Sequence, residues 1–185
     1  MPLPPDTELG DILLARARHA IAHALGAVLD PPAEAPHLNE RAATFVTLKC
    51  NGELRGCIGS VRAQRTLAED VLVNAVGAAT RDPRFLPLTR YELHEVRVEV
   101  SLLSAPDFLE FLGEDDLMRQ LRPGVDGLLL FAGCRSATFL PQVWEQLGEP
   151  AMFLAALKQK AGLAPDRPAH NLMAATYTVR KWSEP

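Results

Sequence analysis

Asn51-Gly52 restricts the possible folds of this chain more than any other feature, because an Asn-Gly pair accepts the positive φ angles of a tight hairpin turn. It sits between two β-type runs, Ala43–Cys50 and Leu54–Ser60, and the pattern predicts a hairpin. Register then decides which side chains share a face, since successive strand residues point to opposite sides. A two-residue turn pairs Cys50 with Glu53 and mixes Val46 and Leu48 with Glu53 and Arg55. A three-residue loop, Asn51-Gly52-Glu53, pairs Cys50 with Leu54 and gathers Val46, Leu48, Cys50, Leu54 and Ile58 on one uncharged face. Thr47, Lys49, Arg55 and Cys57 then share the other face with Phe45. The three-residue loop is the predicted register, because one face must be buried.

Helical periodicity surrounds the hairpin. From Thr7 to about Ala27, Leu9, Ile12, Leu13, Ala17, Ala20, Ile21, Ala24 and Leu25 recur at helical spacing, with Gly26 placed to end the helix. Residues 1–6 are Pro-rich and expected to be loose, and Pro31, Pro32 and Pro36 make a long loop. Thr66-Leu-Ala-Glu69 is a capping-box pattern that starts a helix burying Leu67, Val71, Leu72, Ala75 and Ala79. That helix ends before Asp82-Pro83, since the residue ahead of proline resists the α conformation. Val96, Val98, Val100 and Leu102 alternate with Arg97, Glu99 and Ser101 in a half-buried strand. A short helix near Asp115–Leu121, strands at Leu128–Ala132 and Ser136–Leu140, and helices at Pro141–Leu147 and Ala151–Ala161 follow. Ala174–Trp182 alternates as one terminal strand. Hairpin-joined strands with helices between them predict an α+β fold, a mainly antiparallel β-sheet flanked by helices.

Composition removes several function classes. The 185 residues carry a net charge of −4 and no Lys/Arg cluster, so nucleic acid is not an expected partner. No apolar run approaches the roughly 20 residues that span a bilayer, and the N-terminus lacks a signal-peptide pattern. No membrane partner and a cytoplasmic location are expected. Cys50, Cys57 and Cys134 form no CxxC pair, and His19 and His23, four apart on a helix, read as solvated imidazoles. No metal and no cofactor are predicted.

The predicted register puts Arg55 and Cys57 two residues apart on the non-core face, beside Lys49 and Thr47. Gly56 and Gly59 leave neighbouring backbone uncovered, so a ligand can approach closely. A thiol near two cations gains thiolate character, and the same cations suit a carboxylate or phosphate. Against this stands the plainer reading, in which a cysteine in a sheet is a small, chemically idle hydrophobe.

Leu54-Arg-Gly-Cys-Ile-Gly59 resembles the LRGCIG hexapeptide of the AMMECR-domain family. Phe45-Val-Thr-Leu48, Asp82-Pro-Arg-Phe85 with Pro87, Glu99-Val-Ser101, Gly127-Leu128, Phe139-Leu-Pro-Gln-Val-Trp144 and Lys160-Ala-Gly-Leu163 resemble further family blocks, in order along nearly the whole chain. The resemblance implies a larger lobe built from both chain ends, a smaller inserted lobe, and an LRGCIG segment near the cleft between them. It implies genomic neighbours that are Memo-like and radical SAM proteins, and it brings no established activity. Asp126 stands where many relatives have a histidine, and Ala164-Pro-Asp-Arg-Pro168 replaces an aromatic stretch.

Two functions from different classes follow. In an enzyme, Cys57 is the candidate nucleophile or thiol and Arg55 the candidate anion binder; Lys49, Gly56, Gly59, Asp82, Arg84 and Gln142 are candidate ligand-binding residues, and a small anionic ligand is a candidate partner. A base is required, and His94 and His170 are the available histidines, although His94 reads as a solvated loop residue. Asp82-Pro83 reads equally as a helix stop, with Arg84 in an ion pair, and Pro141 as a helix start that buries Val143 and Trp144. In the alternative, a non-enzymatic adaptor for a Memo-like or radical SAM partner, the LRGCIG strand presents backbone and Arg55, and Cys57 is there for its size.

Overall fold

A computed structural model describes residues 6–185; the Pro-rich residues 1–5 lie outside it. The chain divides into two units, one running to Leu103 and including Arg180–Pro185, the other Ser104–Val179. No helix among the described residues is long and apolar enough to cross a membrane.

In the first unit, α1 (Asp6–Ala24) stops at Gly26, whose φ is 71°, and the Ala27 N–H bonds back to the Ala22 carbonyl at 2.8 Å. This left-handed stop suits glycine, which has no Cβ to strain. Strands β1 (Arg41–Cys50), β2 (Glu53–Gly59), β4 (Val96–Leu103) and β9 (Val179–Ser183) lie in the order β2-β1-β4-β9, and β3 (Arg65–Thr66) pairs with β1. The capping box at the start of α2 (Leu67–Thr80) forms as predicted, Thr66 and Glu69 each accepting the other's backbone N–H. Val46, Leu48, Val96, Val98 and Val100 pack against Leu9, Leu13 and Ile21 of α1 and Val71 and Ala75 of α2. Leu72, predicted in this core, is instead 51% exposed on the solvent side of the helix.

The hairpin differs from the predicted register in an instructive way. Cys50 pairs with Glu53, so the turn has two residues, Asn51 and Gly52, both at positive φ. A β-bulge follows. Lys49 faces Leu54 while Leu48 faces Gly56, which leaves Arg55 as the extra residue. Beyond the bulge, Thr47–Cys57 and Val46–Ile58 are the pairs that a three-residue loop also produces. The correction therefore falls on Leu54, expected on the buried face and found 40% exposed.

The second unit has a sheet ordered β5 (Asp107–Phe108), β8 (Leu172–Tyr177), β6 (Gly127–Ala132), β7 (Arg135–Phe139), with α3 (Glu114–Gln120) and α4 (Pro150–Lys160). Leu117, Leu128, Leu130, Phe153 and Leu157 form its core. The segment from Pro141 ends at Glu145 as a 3-10 turn, shorter than the predicted helix. Its Trp144 stacks on Phe153 at 3.7 Å and donates Nε1–H to the Asp126 carbonyl at 2.7 Å. The predicted single terminal strand is two strands, because the chain leaves one sheet after Tyr177 and enters the other at Val179.

Candidate functional site

Side chains alternate along β1, so with Val46 and Leu48 turned into the helix-covered core, Thr47 faces the other way. Thr47 lies directly across from Cys57 of β2 on one side and Glu99 of β4 on the other. A row of thiol, hydroxyl and carboxylate therefore crosses three strands, and the Thr47 hydroxyl donates to Cys57 Sγ at 3.3 Å. Cys57 is half-buried. Two strand spacings, about 10 Å, separate the Cys57 and Glu99 backbones.

Each predicted cation is engaged elsewhere. Lys49 Nζ bonds Glu99 Oε1 at 2.8 Å, and Lys181 takes the other oxygen at 3.0 Å. Burial pushes the Glu99 carboxyl up, but hydrogen bonds and charge from the two lysines outweigh it and hold the group below its ordinary range. Arg55, displaced by the bulge, reaches Glu92 Oε1 and the Leu86 carbonyl, each at 2.9 Å, rather than the thiol. Glu92 is in turn held low by the Arg55 hydrogen bond and by the Thr89 N–H.

Asp82 and Arg84 hold the backbone of Cys57. The buried Asp82 carboxylate accepts the Cys57 N–H at 2.8 Å and the Arg84 guanidinium at 2.7 and 3.0 Å. Arg84 Nη2 also donates to the Cys57 carbonyl at 3.3 Å. This pair occupies both outward backbone groups of an edge strand at its centre, where an unpaired edge otherwise invites another strand. The Arg84 hydrogen bond drives the Asp82 carboxyl well below the usual carboxylate range; burial opposes it and the Cys57 N–H adds to it. A carboxyl depressed on folding contributes stability fully present above its unfolded value of about 3.9 and lost as pH falls towards its folded value. The stability gap between wild type and Asp82→Asn should therefore be widest near pH 6 and shrink steadily below about pH 4, as read from urea midpoints at each pH.

The glycines of the hexapeptide serve packing. A Cβ on Gly56 would stand 2.2 Å from the Ala78 carbonyl oxygen of α2, and one on Gly59 would stand 2.2 Å from the Phe45 ring. Gln142 is exposed on the 3-10 turn of the second unit, and His170 is exposed there too. The His94 side chain is 79% exposed in the first unit, 3.8 Å from Glu95.

Sequence reasoning missed a buried polar cluster just beyond the hexapeptide. Asp70 on α2, 1% exposed, accepts the Thr44 N–H and hydroxyl at 2.8 Å, the Asn74 amide at 2.9 Å, the Ser60 hydroxyl at 2.8 Å and Arg65 Nε at 3.1 Å. Asp70 and Asn74, four apart in an otherwise apolar helical stripe, were the available signal.

The AMMECR1 family profile matches residues 14–182. The chain belongs to the AMMECR1 family. Its AMMECR1 relatives include a protein of Thermofilum pendens, 36% identical over 177 residues that cover 88% of this chain and 83% of that one. A Methanopyrus kandleri protein is 38% identical over 165 residues, covering 86% and 80%. The crystal structure of an uncharacterised Pyrococcus horikoshii protein superposes with a TM-score of 0.82 at 34% identity, covering 96% of this chain and 92% of that one.

Proposed function

We propose that this AMMECR1 chain is a binding module, with Cys57 a packing residue of its docking face rather than a nucleophile. One observation carries the reading: among the described residues the thiol is met by the Thr47 hydroxyl and the Arg84 guanidinium, neither of which accepts a proton at neutral pH. A hydroxyl is no general base at neutral pH, and Glu99, lowered by two lysines, is both distant and a poorer base than an ordinary carboxylate. The closure of the β2 edge by Asp82 and Arg84 supports docking on the sheet face that carries the half-buried Phe45, Thr47 and Cys57 rather than by strand addition. Memo-like and radical SAM proteins, the partners implied by the family resemblance, are the first to titrate against that face.

Thiol chemistry with Cys57 as nucleophile is the second reading, favoured by the Thr47–Cys57 contact and the nearby Arg84 guanidinium. The order in which the three cysteines alkylate in the native protein separates the two.

A further inference from the structure

In the first unit a cavity of about 630 Å³ opens between α1, the loop after it, the 3-10 helix Arg90–His94, the start of β4 and the end of the chain beyond β9. That volume falls within the roughly 300–1,000 Å³ of small-molecule sites. We propose that it binds a small molecule carrying an oxyanion on an apolar body.

Two kinds of wall argue for this. Leu29, left 43% exposed, and Leu93 offer an apolar surface. Arg90 and Arg97 are exposed at the same cavity, and among the described residues neither has a hydrogen-bond or ion-pair partner. Arg18 has a different role. Its guanidinium is bound to Glu184 and donates to the Leu93 carbonyl at 2.7 Å and the Val96 carbonyl at 2.8 Å, so it braces the wall. Glu184 also accepts the Val98 N–H at 2.8 Å, which leaves its charge matched and its repulsion of an incoming anion weak. Arg90 and Arg97 thus keep free guanidinium forks, the geometry that grips carboxylate and phosphate oxygens in pairs. This contrasts with the Cys57 site, where Lys49, Arg55 and Arg84 are all committed to carboxylates of the chain itself. The cavity proposal does not depend on the role assigned to Cys57.

Amide NMR titrations with phenyl phosphate, 3-phenylpropionate, inorganic phosphate and 3-phenylpropanol test it. Saturable shifts at Leu29, Leu93 and Arg97 are expected with one or both aryl anions, weaker binding with inorganic phosphate and none with the alcohol. Whichever aryl anion binds more tightly identifies the headgroup as phosphate ester or carboxylate. Arg90→Ala and Arg97→Ala should each weaken binding roughly tenfold, while Arg62→Ala, which removes a charge outside the cavity, leaves it unchanged. Arg90→Lys and Arg97→Lys, expected to fold like wild type, should fall between. The proposal is overturned if neither aryl anion gives saturable shifts up to about 10 mM, if inorganic phosphate binds as well as phenyl phosphate, or if the alanine variants bind like wild type.

Discussion

Gly56→Ala is expected to destabilise the first unit by about 3 kcal/mol or more, at or above the top of the usual range for overpacking. The clash, 2.2 Å to Ala78 O, is with helix backbone, which cannot swing aside as a side chain can. Relief requires α2 to move off β2, and that disturbs the shared core of Val71, Ala75 and Leu48. Two other glycines calibrate the effect. Gly59→Ala meets the Phe45 ring, a side chain with some freedom to rotate, and Gly77→Ala meets Ile58 at 3.1 Å. Both should cost less than Gly56→Ala in urea unfolding. A Gly56→Ala midpoint close to wild type would mean that the helix and strand are not in this contact.

Asp70→Ala is expected to cost about 3 kcal/mol, because several buried donors lose their acceptor at once; its Arg65 partner, 39% exposed, adds little. The substitution takes the acceptor from the buried Thr44 N–H and hydroxyl and from the Ser60 hydroxyl, leaves the Asn74 amide only its Thr44 and Ser60 acceptors, and leaves Arg65 without its carboxylate. Asn74→Ala should cost less, because Asp70 keeps its other donors. A double-mutant cycle between Asp70→Ala and Thr44→Val, followed by urea unfolding, should show coupling well above zero. Additive losses would mean that the cluster is not acting as a connected network.

Local signals made part of this architecture legible. The Thr66/Glu69 capping box formed where the sequence placed it, and a hairpin formed at Asn51-Gly52, with a two-residue turn in place of the expected three-residue loop. The bulge at Arg55 was not legible, because a two-residue turn plus a bulge and a three-residue loop give the same pairing from Leu48–Gly56 onward. Only the burial of Leu54 and the direction of Arg55 differ between them, and both depend on long-range packing. The grip of Asp82 on the Cys57 N–H joins residues 25 apart in sequence; the helix stop at Asp82-Pro83 was readable and its destination was not. Likewise, unbroken alternation from Ala174 to Trp182 carries no mark of a strand changing sheets after Tyr177.

The central claim is that Cys57 is a packing thiol on a docking face, and alkylation rates test it most directly. Native protein treated with iodoacetamide and followed by peptide mapping should label Cys134 first, since it is exposed in the turn between β6 and β7. Half-buried Cys50, whose Sγ lies 3.9 Å from a Glu95 carboxylate oxygen, is the internal comparison for a thiol of similar burial beside a carboxylate. Cys57 should lag Cys134 by about tenfold or more in the native protein and match it in concentrated urea. Labelling of Cys57 ahead of Cys134 in the folded state would contradict the account and make thiol chemistry the reading to pursue.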